Sequence, residues 1–240
     1  NDVNSKITNF WHSVLHDTDN LIDMINKIDV SIQEWRRQRA IYYDKSDSSV
    51  LEQGFSAFFL NRTNRSGILH AGPIGGQNQS GKYSIDCRFN KENLIKRVEA
   101  IASLKDKIEV HNEDANILIN RSNSDEFIYI DPPYVKQGRN IYQHFCFNND
   151  DHATLSNTLK RSKRHWLISY DDHPLIHSLY AKSGINVIEL NYAINHARVG
   201  RELLIASSNL KMPLPTSESY LQTNENFEQH GIIPQNNIKL

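Results

Sequence analysis

An apolar run near the middle of the chain ends abruptly in an acid, two prolines and an aromatic residue. Residues 127–130 read Phe-Ile-Tyr-Ile, and Asp131, Pro132, Pro133 and Tyr134 follow them. A run without polar alternation predicts a strand buried on both faces, as in a parallel α/β sheet. Proline lacks a backbone N–H and fixes φ, so it cannot continue a central strand. The sequence therefore predicts an acid at the carboxyl end of a strand, where open α/β sheets bind their ligands.

Hydrophobic spacing and capping residues predict mixed helices and strands around this run. Ser31, with Glu34 three residues later, is typical of a helix start. The predicted helices cover residues 5–27, 32–43, 48–60, 90–104, 149–163 and 173–184, and the predicted strands cover residues 107–114, 126–131, 165–172, 185–194 and 201–208. The glycine-rich stretch 61–84 predicts an irregular loop or a short hairpin. The alternation from residue 107 onward predicts a mostly parallel α/β sheet with an antiparallel hairpin at one edge.

Composition narrows the class of protein. Hydrophobic residues make up 38% and charged residues 23% of the 240 positions, as in ordinary soluble globular proteins. No apolar run approaches the roughly 20 residues of a membrane span. With two cysteines, no disulfide framework is predicted, and we expect a cytoplasmic protein.

Charge is unevenly distributed along the chain. Residues 31–97 hold 11 Lys or Arg and 6 Asp or Glu, whereas the remainder holds 16 and 22 (27 − 11 and 28 − 6). A basic segment in an otherwise acidic chain fits a local surface that faces phosphate. A solvated charged face is the alternative interpretation of the same pattern.

The turn after residue 130 has the chemistry to hold a flat base that carries an exocyclic amine. The Asp131 carboxylate and the Pro132 carbonyl can each accept one amine hydrogen, and the Tyr134 ring can stack on the base for about 1–3 kcal/mol. Engaging both hydrogens localises the nitrogen lone pair, which can then attack a strong electrophile such as a sulfonium methyl group. A plain rigid turn is the alternative.

Several segments resemble one family in the family's own order. "FIYIDPPYV" resembles the catalytic motif of Dam-like adenine-specific DNA methyltransferases. Five further segments resemble that family: FFLNRTNRSGI, RFNKENLIKRV, EVHNEDA, DDHATLSNTL and GRELLIASS. The resemblance implies a Rossmann-like methyltransferase sheet with an inserted, mainly helical DNA-recognition subdomain. It also implies S-adenosylmethionine as the methyl donor and double-stranded DNA as the partner, as in a restriction-modification system, a phage function or an orphan modifier of bacteria.

The same resemblance implies roles for individual residues. Asp131, Pro132, Pro133 and Tyr134 would form the catalytic turn, with Asp131 also beside the methionine end of the cofactor and Tyr134 stacked on an extruded adenine. Two further acids would bind the cofactor: Asp2 at its ribose and Asp114 at its adenine. The family often has an aromatic residue after the second acid, where this chain has alanine.

The DNA contact implied by the resemblance lies in the loop after the third predicted helix. Asn61, Arg62 and Arg65 sit where the family meets DNA. The two arginines can bind phosphate or read a guanine edge, and Asn61 can contact a base or fix the loop. His173 and His177 stand four apart, but no third ligand is evident, so no metal site is predicted.

Three regions follow from this interpretation. Residues 1–30 and 98–208 would form the catalytic core, residues 31–97 the DNA-recognition insertion and residues 209–240 a polar tail. Because the chain begins at Asn1, without the first strand and glycine-rich loop of the family, we expect weak or absent activity from these residues alone. A catalytically inactive remnant that only binds DNA is therefore an alternative, and so is a related substrate such as cytosine or a glutamine side chain. A monomer is favoured.

Overall fold

The computed structural model describes residues 1–43, 48–121, 125–136, 147–192 and 198–210 of the chain. The predicted tail, from residue 211 onward, therefore lies outside the described residues, as does Cys146. The chain divides into two compact units, residues 1–115 and 116–240, each described here by itself. The assignment of residues 1–30 and 98–208 to one catalytic core, with 31–97 as an insertion, stays a prediction.

The first unit is helical. Its helices are α1 (Ser5–His16), α2 (Thr18–Lys27), α3 (Ile32–Tyr43), α4 (Val50–Thr63) and α5 (Lys91–Ala102). The single helix predicted over residues 5–27 is interrupted at Asp17, whose φ of −138° and ψ of 41° are not helical. Capping explains where α4 begins, because the Ser49 side chain accepts from the N–H of Glu52 and the Glu52 carboxylate accepts from the N–H of Ser49.

Helices α1 and α4 cross at close range, and a glycine permits the approach. A Cβ atom added to Gly54 would lie 2.5 Å from the backbone nitrogen of Phe10. Beside this contact the rings of Phe10 and Phe58 stack, with their centroids 5.1 Å apart. Aromatic side chains of α4, including the fully buried Phe55 and Phe59, fill the core of this unit.

The strand predicted over residues 107–114 is absent from the described structure. Lys105–Lys107 form a 3-10 turn, and residues 108–114 run without a sheet ladder. One backbone bond, from the Asp2 N–H to the His111 carbonyl, joins this segment to the start of the chain, and asparagine side chains make the other bonds. The prediction was wrong because a single backbone bond does not make a strand pair.

The second unit contains the sheet. Its strands and helices are β1 (Phe127–Ile130), α7 (Asn149–Arg161), β2 (His165–Asp171), α8 (Pro174–Leu179), β3 (Gly184–Tyr192) and β4 (Arg198–Ala206), and α6 (Ala115–Arg121) begins at the boundary between the units. The strand order is β1-β2-β4-β3. Strands β1 and β2 are parallel, whereas β4 is antiparallel to both β2 and β3. The mixed α/β fold with an antiparallel hairpin at one edge is thus confirmed, and parallel pairing within the described strands is confined to β1 and β2.

Strand β1 is buried on one face, so the prediction of two buried faces is wrong. Phe127 and Tyr129 are 56% and 59% exposed, whereas Ile130 is 9% exposed. The reason is packing, since the described elements leave the face of β1 that carries Phe127 and Tyr129 largely uncovered. Among the described residues, no helix is both long and apolar enough to cross a membrane.

Candidate active site and nucleic-acid interface

The acid-proline-proline-tyrosine turn lies where the sequence places it, directly after β1. Strand β1 ends at Ile130, which pairs with Ile168 of β2 in parallel register. Asp131 is exposed, Pro132 is buried, and Tyr134 is partly buried. The register brings the turn level with the last residues of β2, and these residues hold it in place.

Strand β2 fixes the carboxylate of Asp131 through a serine. The Ser169 hydroxyl donates to Oδ1 of Asp131 over 3.1 Å, and the same hydroxyl oxygen accepts from the Tyr129 hydroxyl over 3.1 Å. Ser169 is 3% exposed, whereas the two residues that it joins, Tyr129 and Asp131, are exposed. The buried hydroxyl of Ser169 therefore helps to orient the Asp131 carboxylate.

A second carboxylate of β2 holds the far end of the turn. Oδ1 of Asp171 accepts from the backbone N–H of Val135 over 3.0 Å, and its Oδ2 accepts from the N–H of Lys136 over 2.8 Å. Asp171 is only 7% exposed. A buried carboxylate is stable when its oxygens accept hydrogen bonds, and here the bonds lock the two residues that follow Tyr134.

Tyr134 is tethered by its hydroxyl group. That hydroxyl donates to Oε2 of Glu202 on β4 over 3.1 Å. Burial, more than the neighbouring carboxylates, raises the pKa of Tyr134 well above its usual value, so the phenol stays protonated and remains a donor. Its ring centroid lies 6.3 Å from that of Tyr170 at an interplanar angle of 42°. The hydrogen bond to Glu202 and the contact with Tyr170 thus orient the ring of Tyr134.

The two cofactor candidates of the first unit, Asp2 and Asp114, lie on two segments that are hydrogen-bonded to each other. Asp2 is partly buried, and its Oδ1 accepts from the N–H of Asn4 over 2.7 Å. Burial raises the pKa of Asp2, and this hydrogen bond partly opposes the rise. The side chain of Asn1 bonds to the backbone of Glu113, the residue before the exposed Asp114. The start of the chain and the segment that leads to Asp114 are therefore joined.

The DNA-contact candidates surround the end of α4. Asn61 is buried; its Oδ1 accepts from both Nε and Nη2 of Arg62, and its Nδ2 donates to the Gly67 carbonyl over 3.0 Å. These contacts favour the loop-fixing interpretation of Asn61, and its base contact stays a prediction. Arg62 is buried, whereas Arg65 is exposed and lies over Gly72.

The loop after α4 is held in a defined conformation by buried amide groups. Asn64 accepts from the Trp35 indole N–H over 2.6 Å and donates to the carbonyls of Ile68 and Leu69. The loop was predicted to be irregular, but these bonds give it fixed geometry. The exposed Arg65 therefore lies on a loop of defined conformation.

The two histidines spaced four apart serve separate local contacts. His173 caps α8 by accepting from the N–H of Leu175, and His177 contacts Oδ1 of Asp172 at 2.8 Å. Within the described ranges, no cluster of three or more His, Cys, Asp or Glu side chains is placed to hold a metal ion.

Sequence reasoning missed three side chains that support the turn: Ser169, Asp171 and Glu202. The available signal was a pair of polar residues two positions apart at the end of an otherwise apolar strand. Residues two apart lie on the same face of a strand, so such a pair marks one polar face at the sheet edge. Only the register, however, shows that this face meets the turn.

Two comparisons with known proteins agree with this geometry. The model of the D12 class N6 adenine-specific DNA methyltransferase family matches residues 1–194. The chain is also similar to the Type II methyltransferase M.MjaIII of Methanocaldococcus jannaschii, with 24% identity over 170 aligned positions. That alignment covers 65% of this chain and 57% of the relative, so the chain spans little more than half the length of this relative. Because the family match extends over most of the chain, including α1, β1, the turn after it and β2, the protein belongs to the D12 class of N6 adenine-specific DNA methyltransferases.

Proposed function

We propose that this chain transfers a methyl group from S-adenosylmethionine to the exocyclic amine of an adenine in double-stranded DNA. The observation that carries the proposal is the outward-facing carboxylate of Asp131, oriented by the buried Ser169 hydroxyl at the end of β1. A preorganised acceptor stabilises charge that develops during the reaction without reorganising at that moment. A chain that only bound DNA would have no need of this arrangement.

The residues of the turn divide the work. Asp131 and the Pro132 carbonyl each accept one hydrogen of the adenine amine, which localises the nitrogen lone pair for attack. Tyr134 stacks on the base, which must leave the duplex because the amine is otherwise inaccessible; extrusion costs a few kcal/mol, and stacking of about 1–3 kcal/mol offsets part of it. Pro133 keeps the turn rigid. The attached Glu202 holds the tyrosine ring in orientation before the base arrives.

The residues of the first unit fit the cofactor's polar groups. The Oδ2 atom of Asp2 has no hydrogen bond among the described residues, so it can accept from a ribose hydroxyl. Asp114, exposed just before α6, would contact the adenine of the cofactor. When bound, S-adenosylmethionine supplies the electrophilic methyl group. We further propose that residues 1–30 and 98–208 carry out the transfer and that residues 31–97, with Asn61, Arg62 and Arg65, contact DNA.

The finer context follows the family. We propose a bacterial or phage-encoded monomer that acts in the cytoplasm, as the modifying partner of a restriction system, as a phage function or as an orphan modifier.

Transfer of tritium from labelled S-adenosylmethionine to mixed-sequence duplex DNA tests the proposal. Digestion of the product to nucleosides should give N6-methyladenine, whereas methylcytosine would refute the substrate assignment. Asp131→Ala should abolish transfer while leaving DNA affinity, measured by fluorescence anisotropy, nearly unchanged. Asp172→Ala is the matched control, since it removes a carboxylate just past the end of β2 whose described contact is with His177. DNA binding without any transfer by the wild-type chain would instead identify a non-catalytic DNA-binding protein.

A further inference from the structure

Arg62 is a buried cation without a carboxylate partner among the described residues. It is 8% exposed, and both Nε and Nη2 donate to the neutral amide oxygen of Asn61. Buried charges are normally paired, because removing an ion from water costs several kcal/mol. A neutral acceptor compensates only part of this cost, so the site lacks a negative charge.

The nearest charged groups make the imbalance larger. Nη2 of Arg88 lies 3.5 Å from the point where a Cβ atom on Gly67 would stand, and Nδ2 of Asn61 lies 3.2 Å from the same point. The guanidinium of Arg88 and the amide that holds Arg62 thus border one position beside Gly67. Burial, followed by the charges of Arg88 and Arg97, lowers the pKa of Arg62 to about 10, which leaves it protonated at neutral pH.

The three arginines come from separate parts of the first unit. Arg62 lies near the end of α4, Arg88 lies just before α5, and Arg97 lies on α5. Arg88 is partly buried and Arg97 is exposed, so an ion can approach from solvent. Among the described residues none of the three arginines forms an ion pair, whereas the neighbouring Lys96 is paired with Glu92. Arg62 and Arg88 thus both approach Asn61, and the charge of Arg97 acts on the same place, so an anion bound there would be stabilised.

We propose that Arg62, Arg88 and Arg97 form a binding site for one phosphodiester group of the DNA backbone. The planar guanidinium presents parallel N–H donors that match phosphate oxygens. This inference rests on the proposed function for its ligand, since a DNA substrate supplies phosphodiesters to the basic segment 31–97. It also assigns Arg62 to phosphate rather than to a guanine edge, so this contact positions the duplex and carries no sequence information.

The double variant Arg88→Gln/Arg97→Gln tests the site and keeps the buried Arg62 in place for folding. Fluorescence anisotropy with a mixed-sequence duplex over a salt series gives the slope of log affinity against log salt. Each phosphate that the protein neutralises contributes about 0.9 to this slope. We therefore expect the slope of the double variant to be smaller by about 0.9. Lys27→Gln is the control, because it removes a cation that pairs with Asp23 outside residues 31–97, and it should leave the slope unchanged. A wild-type slope in the double variant overturns the proposal.

Thermal unfolding in inorganic phosphate, against chloride at equal ionic strength, probes the site without DNA. Phosphate should raise the Tm of the wild-type chain, and this increase should be lost in the double variant. In chloride the double variant should unfold at the same or a higher temperature, since like charges have been removed from around Arg62. A phosphate effect with an unchanged DNA slope would assign the site to a free anion and overturn the DNA assignment.

The methyl-transfer assay separates this proposal from the proposed function. A wild-type chain that transfers no methyl group but shows the expected change in slope would refute methylation and support the phosphate site. A double variant that transfers methyl groups as well as wild type, and whose DNA binding has the wild-type salt slope, would refute the phosphate site and support methylation.

Discussion

Asp171 holds the far end of the turn after β1 by accepting two hydrogen bonds from backbone N–H groups, and a single substitution can remove one of the two. Asp171→Asn keeps the side-chain shape but replaces one acceptor oxygen with an NH2 group. The new amide can still accept from Val135 or from Lys136, but its NH2 group then faces the other N–H donor. A hydrogen bond to a charged acceptor contributes about 1.5–3 kcal/mol, so we expect the free energy of unfolding to fall by about that amount.

The effect on transfer should exceed the effect on DNA binding. Loss of one bond releases the residues after Tyr134, and a displacement of about 1 Å in a reacting group costs roughly 100-fold in rate. We therefore expect kcat for methyl transfer to fall roughly 100-fold, with little change in the KM for DNA, because Asp171 does not belong to the proposed DNA contact. Urea unfolding and steady-state tritium transfer measure the two quantities.

Asp172→Asn provides the control for this substitution. It alters the next carboxylate along the chain, whose described contact is the partly exposed pair with His177. Such pairs contribute about 0–1 kcal/mol, so stability and kcat should change little. Equal losses in the two variants, or a loss at Asp171 confined to the KM for DNA, would refute the idea that this carboxylate positions the turn.

Further predictions concern packing, charge and stacking. Gly54→Ala should lower the free energy of unfolding by about 1–3 kcal/mol, because its Cβ would meet the Phe10 backbone at 2.5 Å. Gly184→Ala, with open space around the added atom, should be neutral. Equal urea midpoints for the two variants would contradict this prediction. Burial raises the pKa of Asp2, so the stability that its proton provides is complete below the unfolded pKa and is lost as pH rises through the folded pKa. Asp2→Asn should therefore gain stability relative to wild type as the pH rises above about 4, the usual pKa of an aspartate. Calorimetry should show weaker binding of S-adenosylmethionine to this variant. A pH-independent difference in stability would argue against a raised pKa. Tyr134→Phe keeps the ring and should retain most of the methyl-transfer activity. Tyr134→Ala should lose about 1–3 kcal/mol of base stacking, and its rate of methyl transfer should fall correspondingly. A Phe variant as impaired as the Ala variant would show that the hydroxyl matters more than the ring.

Local chemistry made several elements predictable. Ser31 accepts from the N–H of Glu34 at the start of α3, as the spacing of these two residues predicts. Asn90 accepts from the N–H of Asn93 and begins α5, the amphipathic helix expected from that position onward. The end of β1 at Ile130 follows from the two prolines. In each case, residues within a few positions of one another decide the outcome, so sequence alone is sufficient.

Nonlocal pairing accounts for what the sequence did not predict. The run Phe-Ile-Tyr-Ile has the composition of a strand with two covered faces, but coverage depends on which elements pack against it. The same limit applies to Ser169 and Asp171, whose bonds to the turn depend on the register of β1 against β2. A register shift of one residue would turn both side chains to the opposite face, and neither pattern nor propensity fixes that shift.

The supports of the turn also bear on the choice between a methyltransferase and a chain that only binds DNA. In the proposed function, DNA affinity depends on the cations of the first unit, whereas the described hydrogen bonds of the Ser169 and Asp171 side chains go to Tyr129, Asp131 and residues 135 and 136. Burying the Asp171 carboxylate carries a desolvation cost. Its two hydrogen bonds offset part of that cost and fix the positions of residues 135 and 136. Geometry of this kind stabilises a transition state far more than it strengthens ground-state binding. The proposed function therefore predicts that variants of Ser169 and Asp171 change kcat, whereas variants of the arginine cluster change DNA affinity.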